Sequence, residues 1–374
     1  MKIVILNEGA SDSRVSASPE TVKKINEMNH AVYVQKGAGI KSNFLDQDYE
    51  ENGAKIFEDE NVIREADVIF KINKPSKDQI DLFKENSILI AALDPFNNPD
   101  LIEDLRNKKI ISFAMELMPR ITRAQSMDIL SSQSNLAGYQ AVINASKLFN
   151  KALPMMMTAA GTIAPAKVMV FGAGVAGLQA IATAKRLGAI VSATDVRVAA
   201  KEQVESLGGK FIMVESDELE DAETSGGYAK EMSAEFKTKQ AELISRTLSG
   251  QDIVICTALI PGKKAPVLIS ENQVKSMKPG SIIIDLASES GGNCECSKSG
   301  EMININEVLV VGAKNITSEI AQDASSLFAK NLLNFFMILL DSETNEININ
   351  WEDEIITGTA LTKNGEIVHE GFNK

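Results

Sequence analysis

The sequence has few of the residues on which metal sites and proton-transfer chemistry depend. Its 374 residues include 3 cysteines and 2 histidines. Cys256, Cys294 and Cys296 suit a reducing compartment, and they lack a second pair of closely spaced ligands, so we predict no metal site. A dehydrogenase that acts on a carbonyl or an imine needs a positioned proton donor. His30 precedes a strand and His369 lies near the C-terminus, and both positions look peripheral.

Positive charge and long apolar runs are also scarce. Lys and Arg number 38 against 51 Asp and Glu, which gives a net charge of −13. This balance argues against nucleic acid and against an anionic membrane surface as partners. The most apolar late stretch, 327–340, is interrupted by Lys330, Asn331 and Asn334 and is too short to span a bilayer. We therefore expect a cytoplasmic chain with no signal peptide and no direct membrane insertion.

One stretch of the chain has the pattern of a strand, a glycine-rich turn, a helix and a second strand. The apolar run Val168–Phe171 predicts a buried parallel strand, and Ile190–Thr194 predicts the next one. An alanine- and leucine-rich segment between them predicts a helix that ends before Gly188. The first turn of this βαβ unit reads G-x-G-x-x-G.

The residue types of that turn suit a dinucleotide. Gly172 allows a tight turn, Gly174 lets the backbone approach a pyrophosphate, and Gly177 lets the helix pack on the strand. The positive end of the helix dipole faces the phosphates. Asp195, where the second strand ends, can accept both hydroxyls of an adenosine ribose and would repel a 2′-phosphate. We therefore predict that this chain binds NAD(H) rather than NADP(H), although Arg197 nearby is a caution.

Alternating strand and helix patterns fill the rest of the chain. Before residue 120 we predict strands and helices at Ile3–Leu6, Pro19–Met28, Ala31–Gln35, Asp67–Lys71, Ile88–Leu93, Pro99–Lys108 and Ile110–Met115. Later we predict Phe211–Val214, 230–248, Asp252–Cys256, Ser281–Ala287, Val308–Gly312, Ser318–Leu340 and a hairpin at Asn364-Gly365. No glycine fingerprint follows the first strand, so we expect no dinucleotide on the first domain.

These elements predict an α/β fold with two Rossmann-like doubly wound domains, separated by a cleft and joined by long helices. The first domain comprises residues 1–130 and 320–374, and the NAD(H)-binding domain comprises residues 131–319. The polar segment 120–135 between them is either a capped connecting helix or a wall of the cleft. The acidic, glycine-containing segment 215–229 is either a surface loop or a lid.

The supply of acid–base residues bears on the reaction. Lys71 and Lys74 could move a proton, but lysines beside a proline turn are more often on the surface. Hydride transfer between two nicotinamides needs no acid or base. The scarcity of candidates therefore favours transfer from one nucleotide to another.

Long motifs then indicate a family. The sequence resembles the NAD(H)-binding component of proton-translocating NAD(P) transhydrogenases, and its layout is also similar to that of alanine dehydrogenases. The motifs that carry the resemblance are MELMPR at Met115–Arg120, RAQSMDILSSQSNLAGYQAV after it, PMMMTAAGT at Pro154–Thr162, TDVR at Thr194–Arg197, KEQVESLGGKF at Lys201–Phe211, GGYAKEM at Gly226–Met232, TALIPG at Thr257–Gly262 and FAKNLLNF at Phe328–Phe335.

Three positions separate the two kinds of relative. Alanine dehydrogenases have a catalytic histidine in a Leu-His-Leu pattern where this chain has Asp94, and a catalytic aspartate before a Gly-Gly pair where it has Glu289. Arg14 does match their arginine for the substrate carboxylate. An alanine-type amino-acid dehydrogenase is therefore the alternative, and a non-catalytic module that senses NAD is a third hypothesis.

The resemblance to transhydrogenases implies a role for each candidate residue. Pyrophosphate would lie on Gly172, Gly174, Val175 and Gly177, the adenosine ribose on Asp195 and Val196, and the nicotinamide end beside Thr257, Ala258 and Leu259. Arg120 would hold the carboxamide with help from Asp128 and Ser131, Gln125 would reach the partner's nucleotide, and Gly227 and Tyr228 would belong to a mobile loop.

The resemblance also implies partners. The chain would form a homodimer that docks on an NADP(H)-binding beta subunit and on membrane-spanning subunits. It would then be peripheral on the inner face of the membrane. NADH on this chain would pass its hydride to NADP+ on the beta subunit, and that transfer would be coupled to proton movement.

Overall fold

The computed structural model of the chain describes residues 1–214, 233–260 and 262–373. By its internal contacts the chain divides into two compact units, each with its own sheet and buried core. Unit 1 comprises Met1–Gln133 and Thr317–Lys374, and unit 2 comprises Ser134–Ile316. Of the helices in the described ranges, none is long and apolar enough to cross a membrane.

Short apolar runs between polar turns form the N-terminal portion of unit 1. Its strands are β1 (Lys2–Ile5), β2 (Ala31–Gln35), β3 (Lys55–Phe57), β4 (Val68–Phe70), β5 (Ile88–Ala91) and β6 (Ile111–Ala114). Its helices are α1 (Pro19–Glu27), α2 (Asp46–Glu51), α3 (Asn61–Arg64), α4 (Lys77–Leu82) and α5 (Pro99–Asn107). Ser18 caps α1 as predicted, because its side chain accepts the backbone N–H of Thr21.

Helix α6 (Ile129–Leu148) begins in unit 1 and ends in unit 2. The strands of unit 2 are β7 (Met156–Thr158), β8 (Gly161–Ile163), β9 (Lys167–Phe171), β10 (Ile190–Thr194), β11 (Lys210–Phe211), β12 (Ile253–Cys256), β13 (Ile282–Asp285), β14 (Met302–Ile305) and β15 (Val308–Gly312). Its further helices are α7 (Val175–Arg186), α8 (Ala200–Ser206), α9 (Ala234–Leu248) and α10 (Glu271–Lys275).

The C-terminal segment returns to unit 1 as α11 (Ala321–Ile338), α12 (Glu354–Thr359), β16 (Ala360–Lys363) and β17 (Glu366–Ile367). The strand order in unit 1 is β17-β16-β6-β5-β4-β1-β2-β3. Strands β1 to β6 pair in parallel, and β16 pairs antiparallel with both β6 and β17. The predicted hairpin at Asn364-Gly365 joins β16 to β17, and both turn residues have the positive φ of a two-residue turn.

The sheet of unit 2 is parallel except at one edge, and its order is β11-β10-β9-β12-β13-β15-β14. Successive side chains of β9 alternate between two cores: Val168 and Val170 belong to one, and Met169 and Phe171 to the other. A parallel sheet that is buried on both faces needs continuously apolar strands, as found in β12. The predicted doubly wound α/β class is confirmed.

Two predicted elements have different bounds in the structure. The strand predicted at Phe211–Val214 is only β11, because the Val214 N–H is bonded to the side chain of Gln240 (2.8 Å) and not to a strand. The helix predicted at Ser318–Leu340 starts later, since a 3-10 helix, Ile316–Ile320, precedes α11.

Glu116 joins the ends of two neighbouring strands in unit 1. It follows β6, and its Oε1 accepts the backbone N–H groups of Leu93 (2.8 Å) and Asp94, which come after β5. Its Oε2 is buried and has no hydrogen-bond partner among the described residues. Burial raises the pKa of the Glu116 carboxyl to about 7, although the N–H donors oppose that rise.

We expect Glu116 to make the protein less stable as the pH rises from 4.5, its ordinary pKa, to about 7. Over that range the folded chain keeps the proton and the unfolded chain has lost it, so the unfolded state binds fewer protons. The loss should be roughly 3 kcal/mol. Urea unfolding of Glu116→Gln at several pH values should show this slope removed.

The matched control is Glu352→Gln, which neutralises an exposed carboxyl of the same unit. It should keep the wild-type pH dependence. An equal slope in wild type and Glu116→Gln would contradict the prediction.

Candidate functional site

The turn after β9 admits only glycine at two of its three glycine positions. Gly172 has φ +89°, and a Cβ there would lie 2.7 Å from Oγ1 of Thr257. A Cβ on Gly177 would lie 1.8 Å from the carbonyl oxygen of Gly172. Helix α7 therefore begins in direct contact with the backbone at the end of β9, as a dinucleotide turn requires.

Gly174, the third glycine, is not constrained in this way. A Cβ there would have no described atom within 4 Å, so the space beside it is open. Gly174 is the N-cap of α7 and has no side chain to accept the first N–H groups of the helix. Free N–H groups and the positive end of a helix dipole beside open space fit an anion such as a pyrophosphate.

Asp195 lies just after β10, beside this turn. Its Oδ2 accepts the backbone N–H of Ala173 (2.6 Å), and its Oδ1 accepts the N–H of Arg197 (2.9 Å). The Arg197 guanidinium also pairs with both oxygens, at 2.9 and 3.0 Å. Burial opposes ionisation, but these donors outweigh it and lower the pKa of the Asp195 carboxyl. Asp195 is thus an ionised acceptor whose guanidinium partner must shift before a ribose diol can bind.

Exposed apolar side chains accompany these polar groups. Val175, Val196 and Leu259 are exposed where β9, β10 and β12 end, and Val196 is 69% exposed. Ligands of doubly wound sheets bind at this carboxyl edge, where the strand order reverses. In unit 2 the reversal lies between β9 and β12, because the order runs β10-β9-β12.

Thr257 and Ala258 continue the chain from β12 at the same edge. The Thr257 hydroxyl donates to the carbonyl oxygens of Phe171 (3.0 Å) and Gly172 (3.1 Å). Ala258 is bonded through its backbone to the side chain of Asn293. Sequence reasoning missed Asn293, and the only signal was its place directly after the Gly-Gly pair that follows β13.

The described candidate residues of unit 2 therefore lie together along one edge of its sheet. They are Gly172, Gly174, Val175, Gly177, Asp195, Val196, Thr257, Ala258 and Leu259. Gly227 and Tyr228 lie outside the described residues.

The candidates of unit 1 lie on one short segment after β6. Arg120 and Gln125 are exposed, and Gln125 belongs to a 3-10 helix, Thr122–Met127. Asp128 immediately precedes α6, and its carboxylate accepts the backbone N–H (3.0 Å) and the hydroxyl of Ser131. Asp128 and Ser131 therefore cap α6, which is one of the two alternatives that the sequence left open for this segment.

Charged side chains are also buried beside β1 and β4 in unit 1. Arg14 pairs with both oxygens of Asp12 (3.0 and 2.7 Å) and donates to Gln133 (2.9 Å). Lys71 pairs with Glu8 at 3.2 Å, and both side chains are almost fully buried. Lys71 is thus not the surface lysine that the sequence suggested, and its charge is neutralised by Glu8.

Comparison with known proteins agrees with this arrangement. Residues 4–137 match the family model "Alanine dehydrogenase/PNT, N-terminal domain", and residues 141–370 match "Alanine dehydrogenase/PNT, C-terminal domain". The chain is 53% identical to the first of the separate alpha-subunit polypeptides of the NAD(P) transhydrogenase of Rhodospirillum rubrum, over 99% of this chain and 98% of that protein.

Solved structures give the same result. A transhydrogenase of Sinorhizobium meliloti superposes with a TM-score of 0.90 at 48% identity, covering 98% of this chain and 100% of that one. An L-alanine dehydrogenase shares the fold alone, with a TM-score of 0.81 at 22% identity over 100% of this chain and 98% of that one. The chain therefore belongs to the alanine dehydrogenase/PNT family, and within it to the alpha subunits of NAD(P) transhydrogenases.

Proposed function

We propose that this chain is the NAD(H)-binding peripheral subunit of a proton-translocating transhydrogenase. The observation that carries the proposal is the uncapped N-terminus of α7 at an open glycine, with the ionised Asp195 on the next strand. Together these groups fit a pyrophosphate and a ribose without a 2′-phosphate.

The residues of unit 2 would bind the dinucleotide along the carboxyl edge. Gly172, Gly174, Val175 and Gly177 would take the pyrophosphate, and Asp195 and Val196 the adenosine ribose. Thr257, Ala258 and Leu259 would lie at the nicotinamide half, because β12 lies across the strand reversal from β10. We propose that Gly227 and Tyr228 also contribute to this binding.

The residues of unit 1 would orient the reacting end. Arg120 would donate to the carboxamide, while Asp128 and Ser131 keep the start of α6 in place, and Gln125 would contact the partner's nucleotide. NADH supplies the hydride, and the transfer to NADP+ needs no proton donor. These side chains would act by positioning, which can supply several kcal/mol of the barrier.

NADP(H) would be bound by a partner beta subunit, and membrane-spanning subunits would carry the protons. The relative from Rhodospirillum rubrum supports this arrangement, since its name makes it one portion of an alpha subunit. The chain would then be cytoplasmic and peripheral on the inner face of the membrane.

The amino-acid dehydrogenase alternative has one observation for it and two against. Arg14 is present, but Asp12 occupies the guanidinium that a substrate carboxylate would need. No histidine follows β5, where Asp94 instead donates its N–H to Glu116. We therefore expect no turnover of alanine.

The isolated chain should bind NADH and yet reduce no NADP+ analogue. Addition of the NADP(H)-binding subunit should start hydride transfer, because the acceptor nucleotide is held there. Reduction of thio-NADP+ by NADH, followed by absorbance with and without that subunit, measures this.

Two results would separate the hypotheses. Failure of transfer with a competent partner would remove the transhydrogenase function and leave nucleotide binding intact. Reduction of NAD+ by the pure chain with alanine would establish the amino-acid dehydrogenase instead.

Asp195→Asn should weaken NADH binding roughly 10- to 100-fold, because a neutral amide replaces a charged acceptor of the ribose hydroxyls. It should also make NADPH binding detectable, since Arg197 is released and the repulsion of a 2′-phosphate is gone. Fluorescence titration with both nucleotides measures the change. Glu202→Gln, an exposed carboxyl in α8, is the control. If NADPH binding stayed undetectable, Asp195 would not determine the selectivity.

We propose further that the chain forms a homodimer through the β7–β8 hairpin. The hairpin exposes Met155, Met156, Met157 and Ile163, and Met157 is 78% exposed. A group of large apolar side chains on one small surface element is typical of a protein interface. A second copy would remove these side chains from water.

Met157→Glu should shift the protein from dimer to monomer in sedimentation experiments, because a charge would be placed in the proposed interface. Met302→Glu is the matched control. Met302 is 63% exposed on the edge strand β14 and lies outside the hairpin, so its variant should remain a dimer. Dimers of equal strength in both variants would contradict the proposed interface.

A further inference from the structure

The segment that leaves β12 is held by side chains on both sides of its first peptide. Thr257 binds the β9 turn through its hydroxyl, as described above. Ala258 donates its N–H to Oδ1 of Asn293 (2.9 Å) and accepts from Nδ2 of the same amide (2.8 Å). The Asn293 side chain thus pairs with Ala258 as a neighbouring strand would.

Asn293 has no freedom to turn its amide over. Its second Nδ2 hydrogen is donated to the carbonyl oxygen of Pro266 (2.8 Å), and the residue is 0% exposed. Oδ1 must face an N–H group and Nδ2 must face two carbonyls. An aspartate of the same shape would place an oxygen against those two carbonyl oxygens, which is repulsive in a buried site.

Asp285, where β13 ends, holds Asn293 in place. Its Oδ2 accepts the backbone N–H groups of Asn293 (2.9 Å) and Cys294 (3.0 Å), and its Oδ1 accepts that of Ala287 (2.9 Å). Asp285 is also 0% exposed. A chain of buried contacts therefore runs from β13 through Asn293 to the segment after β12.

The segment carries an exposed side chain immediately after this anchor. Leu259 follows Ala258 and is 54% exposed at the carboxyl edge of the sheet. Building on the proposed function, we propose that Asn293 is a positioning residue for the nicotinamide half of NAD(H). It fixes both polar groups of the Ala258 backbone and so sets where Leu259 stands beneath that half of the nucleotide.

The adenosine half provides an internal reference. Asn293 contacts the segment after β12, whereas 5′-AMP would bind at the β9 turn and Asp195. A change confined to the segment should therefore affect NADH and leave 5′-AMP. A general loss of structure would weaken both ligands.

The experiment measures Kd for NADH and for 5′-AMP in wild type and in Asn293→Asp. NADH binding should weaken roughly tenfold or more, because the anchoring hydrogen bonds become repulsive. Binding of 5′-AMP should change by less than about twofold, because its site is independent. Equal weakening of both ligands, or no change in either, would overturn the proposal.

A second pair of variants keeps the test open if Asn293→Asp does not fold. Leu259→Ala truncates the exposed side chain without touching the buried amide, and it should weaken NADH but not 5′-AMP. Val267→Ala is the control, because Val267 is equally exposed at 54% but lies outside the anchored segment. Equal NADH affinity in these two variants would also overturn the proposal. Wild-type protein that binds neither ligand would instead overturn the proposed function.

Discussion

The candidate edge of unit 2 depends on one close approach, that of the helix α7 backbone to the end of β9. A Cβ on Gly177 would lie 1.8 Å from the Gly172 carbonyl oxygen, so no other residue fits there without moving the helix. The approach also brings the Thr257 hydroxyl onto the same turn and ties β12 to β9. Because the helix begins at this contact, its free N–H groups open beside Gly174, where an anion can reach them.

Buried side-chain acceptors organise the carboxyl ends of strands in both units. Glu116 binds the chain that leaves β5, and Asp285 binds the chain that leaves β13. Segments after parallel strands have no neighbouring strand to satisfy their N–H groups, so side-chain oxygens do so instead. These residues place loops that would otherwise be free, and ligands of such sheets bind on those loops.

The fold by itself does not choose between the two chemistries of the family. An L-alanine dehydrogenase shares it at a TM-score of 0.81 and 22% identity. The distinction lies in a few side chains, and in this chain Arg14 is paired with Asp12 rather than left for a substrate. Function must therefore be argued from the site and not from the architecture.

The sequence by itself determined the local units. The strands β2, β10 and β15 were predicted with their observed bounds, and so was the turn at Asn364-Gly365, because periodicity and turn chemistry act over a few residues. Tertiary structure alone decided which polar groups meet. Asn293 and Ala258 are separated by 35 positions, and Glu116 and Leu93 by 23. These partners are adjacent only because right-handed crossovers place the ends of parallel strands side by side, which no local pattern records.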